Sequence, residues 1–254
     1  MEQPLTGRVG VVTGASGGIG AATARALAAA GMRVVLAARR AAPLAEVCAG
    51  IRAHQGAAEF VVTDMRDEAQ VERLIATALE RYGTIDTLVN NAAVGTVRTI
   101  ADGRGDEWRA TLETNILGTL FACRAALRHM LPRRRGDILN VTSASAHEAW
   151  PYLAVYAASK AAVHTLSNGL RAEVSEAGIR VMTIEIHNVG GTEFAANFDT
   201  QVLPVAIQRW KELGLLNPRT PMLEPADVAA AIVFQLSRRD PASIHHLTIR
   251  SRAN

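Results

Sequence analysis

At 254 residues, with 49% hydrophobic and only 20% charged side chains, the chain can bury a sizeable core and is too apolar for a disordered protein. The net charge of +3 rests on 27 basic residues, all arginine except Lys160 and Lys211; the one dense run, Arg133-Arg134-Arg135, sits in a Pro-Gly flanked turn with no interleaved aromatics, so nucleic acid is not an expected partner. Cys48 and Cys123 are too isolated for a disulfide framework or a zinc motif, no apolar run reaches the roughly 18 residues that span a bilayer, and no charged-then-apolar leader opens the chain; a soluble cytoplasmic protein with buried thiols, no metal and no membrane partner is expected.

The first predicted strand, Arg8 to Thr13, runs directly into Thr13-Gly14-Ala15-Ser16-Gly17-Gly18-Ile19-Gly20 and an Ala-rich helix from about Gly18 to Ala30. Glycines at 14, 18 and 20 allow a tight turn, close approach of the backbone to a pyrophosphate and close helix packing, while the helix N-terminus offers amide donors and a positive dipole end. In this strand-turn-helix context Gly14, Ser16, Gly18, Ile19 and Gly20 form a candidate dinucleotide site. The second strand, Arg33 to Ala37, ends in Ala37-Ala38-Arg39-Arg40. An acid there would bind the adenosine ribose; its absence, with two forked guanidiniums in its place, points to NADP as cofactor, held at its 2′-phosphate by Arg39 and Arg40.

Further strands are predicted at Glu59 to Thr63, Thr87 to Asn90, Asp137 to Thr142, Arg180 to Ile186 and near His246 to Ile249, with helices in the gaps. Such β-α alternation calls for an α/β fold: a Rossmann-type doubly wound parallel sheet with helices on both faces. No linker or repeat divides it, so 1–254 reads as a single domain. The one long irregular region, about 190–225, contains Pro204, Pro218, Pro221 and Pro225 around a short apolar helical stretch and is read as a substrate lid.

Tyr156-Ala157-Ala158-Ser159-Lys160 carries the chemistry. With so few tyrosines and lysines in the chain, a Tyr-x-x-x-Lys pair arises by chance in about one such sequence in fifty. On the helix predicted from Tyr152 to Ala177, residues four apart share a face, which puts the ammonium beside the phenol. A fixed cation favours the phenolate, so the Tyr156 pKa is expected to fall from about 10 toward working pH, making it a general acid or base.

Taken in order, the glycine-rich turn, Asp64, Asn90-Asn91-Ala92-Ala93, Asn115 in Thr114-Asn115-Ile116-Leu117-Gly118, Ser143, Tyr156 and Lys160 resemble the short-chain dehydrogenase/reductase family over nearly the whole chain. The resemblance implies an oxidoreductase with a catalytic tetrad. Ser143 would polarise a substrate carbonyl, Tyr156 would transfer its proton, Lys160 would also hold the nicotinamide ribose, and Asn115 would bind a water leading from Lys160 to solvent. It also implies adenine contacts from Asp64 and Met65, further cofactor contacts from Asn91, Ala92, Val189 and Thr192, and a strand-tying role for Asn90, while Ala93 stands where the family usually has glycine.

After the sixth strand, Ile186-His187 replaces the family's usual Pro-Gly, and Val189-Gly190-Gly191-Thr192-Glu193-Phe194 is similar to the branch with NADP-dependent 3-hydroxy acid (serine-type) dehydrogenases and clavaldehyde-type reductases. His187 either fills the altered loop or turns its imidazole toward the substrate. Expected substrate contacts are Ser143, Ser145, Trp150, Tyr156, His187 and Phe194, with His147, Tyr152 and Phe198 as further walls, while Arg250 and Arg252 are exposed tail residues unless the tail folds near the site. The leading expectation is an NADPH-dependent ketoreductase acting on a ketone or aldehyde such as a 3-oxo acid or β-ketoester. NADP-linked oxidation of a hydroxy acid or secondary alcohol uses the same residues, and a non-catalytic NADPH sensor or scaffold is the alternative of another class. An epimerase or dehydratase is disfavoured. The resemblance further implies a homotetramer packed through the helices near Glu107 to Leu131 and Tyr152 to Ala177, to which Leu112, Ile116, Leu120, Val163, Leu166 and Leu170 would contribute.

Overall fold

Seven short apolar runs become the strands of one parallel sheet: β1 (Val9–Thr13), β2 (Arg33–Ala38), β3 (Ala58–Val62), β4 (Thr87–Asn90), β5 (Gly136–Ser143), β6 (Ile179–Ile186) and β7 (His246–Ile249). The computed structural model describes residues 4–238 and 242–252. Spatial order is β3-β2-β1-β4-β5-β6-β7. The central strands are buried on both faces, which is why β1 reads Val-Gly-Val-Val-Thr without polar alternation.

Helices α1 (Gly18–Ala29), α2 (Ala41–Ala53) and α8 (Pro225–Ser237) cover one face and supply Leu27, Leu44 and Ile232 to its core. On the other face lie α3 (Glu68–Tyr82), α4 (Gly105–Leu112), α5 (Gly118–Arg133) and α6 (Ala154–Val174), with Leu74, Met130 and Val174 in the second core. α3 shows how the sequence makes these elements. Val71, Leu74, Ile75 and Ala78 form its buried stripe, the Asp67 carboxylate caps the Gln70 amide, and Gly83 ends it at φ 75°. Each fully buried Leu or Ile contributes about 2 kcal/mol.

Some local boundaries differ from expectation. Tyr152 takes a left-handed backbone (φ 69°), which delays α6 to Ala154, and a 3₁₀ turn follows Val174. Arg133 is the last residue of α5 rather than part of a turn, and its guanidinium pairs with buried Asp86 at 3.1 Å. Cys48 and Cys123 are free and buried; burial pushes the Cys123 thiol up to about 12. Among the described residues no helix is long and apolar enough to cross a membrane, and no cluster of metal-ligating side chains occurs.

The strand order reverses between β1 and β4, so their C-terminal ends diverge and open a crevice. The connection from β6 to α8 crosses above this crevice. It contains a 3₁₀ turn (Glu193–Asn197) and α7 (Val202–Glu212), and is tied down by a bridge between Val189 and Leu223.

Candidate active site

The turn after β1 is shaped by close approaches that only glycine permits. A Cβ on Gly20 would lie 2.2 Å from the Gly14 carbonyl oxygen, and Gly14 itself has φ +68°. Asn91 clamps the turn by donating from Nδ2 to the carbonyls of Thr13 (2.9 Å) and Gly14 (3.3 Å), while the Thr13 hydroxyl accepts from the amides of Asn91 and Ala92. No side chain caps α1, whose N-cap is Gly17, so its first amides face the crevice unclaimed. That cradle fits a pyrophosphate.

At the end of β2 both guanidiniums line the crevice. Arg40 forms a bidentate pair with Glu193 of the β6–α8 connection, where one contact is 2.8 Å, and donates to the Ser16 hydroxyl at 3.1 Å. Arg39 is exposed and makes no hydrogen bond among the described residues. Asp64 is held by Arg66, which lowers its pKa through that hydrogen-bonded ion pair. Asp64 and Met65 line the same wall.

Tyr156 and Lys160 project from α6 across the end of β5. Lys160 is 4% exposed and donates to the Val141 carbonyl at 2.8 Å, with no carboxylate partner among the described residues. Burial alone brings its pKa down to about 8. Its ammonium lies 5.8 Å from the centroid of the Tyr156 ring. Burial drives the phenol up to about 12, opposed by its hydrogen bond with Ser143. The expected fall in the Tyr156 pKa is therefore reversed: desolvation of the buried phenol dominates, offset only in part by Ser143, and favours the protonated hydroxyl. Ser143 accepts from the Ser145 hydroxyl (3.0 Å) and amide (3.3 Å), so its own hydrogen is available to Tyr156.

Asn115 lies in a single π-helical turn (Glu113–Leu117) between α4 and α5, 1% exposed. Its side chain exchanges hydrogen bonds with the Val94 backbone (2.8 and 2.9 Å) and donates to the Ser159 hydroxyl (2.9 Å), which donates to the Tyr156 carbonyl (2.7 Å). The amide is thus occupied in bracing α6 beneath the tyrosine rather than facing the crevice. Asn90 Nδ2 donates to Asn140 Oδ1 at 2.8 Å, and Asn140 to Ser167, which links β4, β5 and α6.

The crevice continues past Tyr156 as one cavity of about 660 Å³ lined by every other residue assigned above to catalysis, cofactor or substrate, whereas His147 and Tyr152 do not line it. Phe194 packs on Tyr156 with ring centroids 4.7 Å apart, Phe198 packs on Phe194 at 5.0 Å, and Trp150 meets Trp210 at 5.4 Å. His187 lines the cavity with Nε2 3.6 Å from Oε1 of Glu185, while His147 Nε2 lies 3.2 Å from Oε2. Sequence reasoning missed Glu185, Glu193, Leu203, Ile207 and Trp210. An acid inside the apolar strand Ile-Arg-Val-Met-Thr-Ile-Glu-Ile was the signal for Glu185; the others depend on the path of the β6–α8 connection.

Residues 8–202 match the family model described as short chain dehydrogenase. The chain belongs to the short-chain dehydrogenase family. An uncharacterised oxidoreductase of Staphylococcus saprophyticus is 34% identical over 247 residues, 97% of this chain and 98% of the relative. Among solved structures, a metagenomic short-chain oxidoreductase in complex with NADP superposes with a TM-score of 0.81 at 28% identity, covering 98% of this chain and 100% of the other. A gluconate 5-dehydrogenase from Burkholderia cenocepacia in complex with NADP and tartrate gives 0.82 at 29% identity, over 98% of this chain and 95% of the other. This family membership makes the chain an oxidoreductase built on the Rossmann-type sheet.

Proposed function

We propose that this short-chain dehydrogenase is an NADPH-dependent carbonyl reductase with Tyr156 as general acid and the β6–α8 connection as a lid. The observation that carries the proposal is a buried phenol, raised to about 12 and hydrogen-bonded to Ser143, on the floor of a cavity that runs unbroken from an anion cradle to an aromatic pocket. The NADP-bound structures cited above support the cofactor, as do Arg39 and Arg40 at the end of β2, where the strand-end sequence Ala37-Ala38-Arg39-Arg40 contains no acid. NADPH, when bound, supplies the hydride. Gly14 to Gly20 would hold the pyrophosphate, Arg39 and Arg40 the 2′-phosphate, Asp64 and Met65 the adenine, and Asn91, Ala92, Lys160, Val189 and Thr192 the remaining sugar and nicotinamide.

The protein's own work is proton supply and orientation. Ser143 and Tyr156 converge on one carbonyl oxygen; as its π pair becomes an alkoxide, the Tyr156 O–H bond breaks and the new O–H bond forms. The remaining phenolate is stabilised by Ser143 and by Lys160, which at about 8 carries its positive charge at neutral pH. A tyrosine held protonated suits reduction better than oxidation. Ser145 orients Ser143, and Asn115 holds the helix that carries the pair.

NADPH oxidation followed by nicotinamide absorbance, across ketones, aldehydes and β-ketoesters, tests the reading. Tyr156→Phe should lower turnover by about 10²–10⁴-fold; an unchanged rate would sink it and favour a sensor that binds NADPH without turnover. We further propose a homotetramer, supported by the exposed row Leu112, Leu117 and Leu120 beside α5. Light scattering at the monomer mass would refute that assembly.

A further inference from the structure

The cavity has two halves of opposite chemistry. Its nucleotide half carries Arg39 and Arg40 and the open amides of α1. Beyond Tyr156 the walls are Trp150, Phe194, Phe198, Leu203, Ile207 and Trp210. The chain has only three Trp, three Tyr and five Phe. Two of each, Trp150, Trp210, Tyr152, Tyr156, Phe194 and Phe198, belong to the one apolar cluster at this end. Such concentration in an aromatic-poor chain marks a surface shaped for an apolar ligand rather than a general core.

The charges complete the picture. Among the described residues, Lys160 supplies the one Lys or Arg side chain lining this half, and it is spent on the Val141 carbonyl beside the phenol. Arg98, whose amide donates to the Tyr152 carbonyl, is tied to Glu107 and Asp199 at 3.0 Å each and does not line the cavity. Arg250 and Arg252 are exposed and likewise outside it. His187 reaches the cavity, but Glu185, 8% exposed, stands 3.6 Å behind its Nε2. His187 is therefore backed by a carboxylate, and apart from Lys160, held on the Val141 carbonyl at the phenol end, no Lys or Arg side chain lines this half to receive a carboxylate among the described residues.

From this, and resting on the reductase reading above, we infer that the substrate is an uncharged ketone or aldehyde bearing an aromatic or similarly bulky apolar group, and that free oxo and hydroxy acids are rejected. The apolar group occupies the space between Phe198 and Trp210, and the carbonyl meets Ser143 and Tyr156. His187, braced by Glu185, offers one hydrogen bond to a neutral polar substituent such as an ester or hydroxyl.

Methyl 4-acetylbenzoate and 4-acetylbenzoate share one ketone and ring and differ in charge at the far end. Each is titrated calorimetrically into the protein saturated with NADP⁺, where no turnover occurs. The ester should bind at least about a hundredfold more tightly than the acid, because an unpaired carboxylate is costly to desolvate. Phe198→Ala should weaken ester binding about tenfold through lost apolar contact while leaving NADPH binding unchanged, and Trp210→Phe should retain most of it. Equal or tighter binding of the acid, or no binding of either ligand, overturns the assignment. Binding of the ester at the expected ratio without NADPH oxidation upholds the pocket's class and defeats the reductase reading, so the two failures are told apart.

Discussion

The two ends of the same sheet treat buried charge in opposite ways. At the N-terminal ends of the strands, Asp86 and Asp137 are each 4% exposed, yet both are fully engaged. Asp137 receives Arg8 and two donors of Arg180 at 2.6 and 2.7 Å; Asp86 receives Arg133 at 3.1 Å and the Val9 amide at 3.0 Å. At the C-terminal ends, Lys160 is equally buried and has a single carbonyl oxygen for company. Paired charge at one end fastens β1, β4, β5 and β6; unpaired charge at the other is held at a cost to stability, the cost that the ribose-holding and phenolate-steadying role proposed for Lys160 would require. The lesson is that burial alone does not mark a functional group, whereas burial without a counter-charge, inside a cavity, does.

The strongest way to break the comparison is Asp137→Ala, which takes the shared carboxylate from the Arg8 and Arg180 guanidiniums. It should cost about 3 kcal/mol in urea unfolding while leaving the KM for NADPH unchanged. Loss of cofactor binding without loss of stability would show that the two ends are not separate.

A smaller effect tests the other end. Because the folded pKa of Lys160, about 8, lies below its unfolded value of 10.5, the unfolded chain binds more protons between those values, so stability must rise with pH across that window. The penalty is fully present below pH 8. Wild type should gain up to about 1 kcal/mol per pH unit relative to Lys160→Met between pH 8 and 10, below the range in which Tyr156 titrates. A flat difference would mean that the lysine is not desolvated.

The smallest effect concerns the paired and the free arginine at the nucleotide end. Arg39→Ala should weaken NADPH about tenfold with NADH unchanged, whereas Arg40→Ala should cost only a few-fold, since removing it also releases Glu193 from an exposed pair worth little. Equal losses in the two Kd values would show that Arg40 abandons Glu193 when the cofactor arrives.

Much of this was legible in the chain. All seven strands fall within two residues of their expected ends, because the central strands, buried on both faces, read as uninterrupted apolar runs and the edge strands β3 and β7 as short apolar stretches with alternating burial. The glycine turn and the Tyr-Lys pair were legible because their geometry is local, one turn of helix or one tight corner. What escaped was set by distant partners. Glu185 meets His147 across the gap between β6 and the loop after β5, Glu193 meets Arg40 over 153 residues, and Trp210 reaches Trp150 by the path of α7. The Tyr156 pKa escaped for a different reason: spacing shows which charges are neighbours but not how much water burial removes.

One feature has the character of a counting rule. The π-helical turn at Glu113–Leu117 is a single surplus residue inserted into what is otherwise one long rod from α4 through α5. Excising any one residue there would restore a regular helix with α4 and α5 nearly in phase, because the wide turn is what absorbs the surplus residue. What would go is the local bulge that lets Asn115 meet Val94 and Ser159 together. The length of that stretch, as much as the asparagine itself, is what a functioning chain has to preserve.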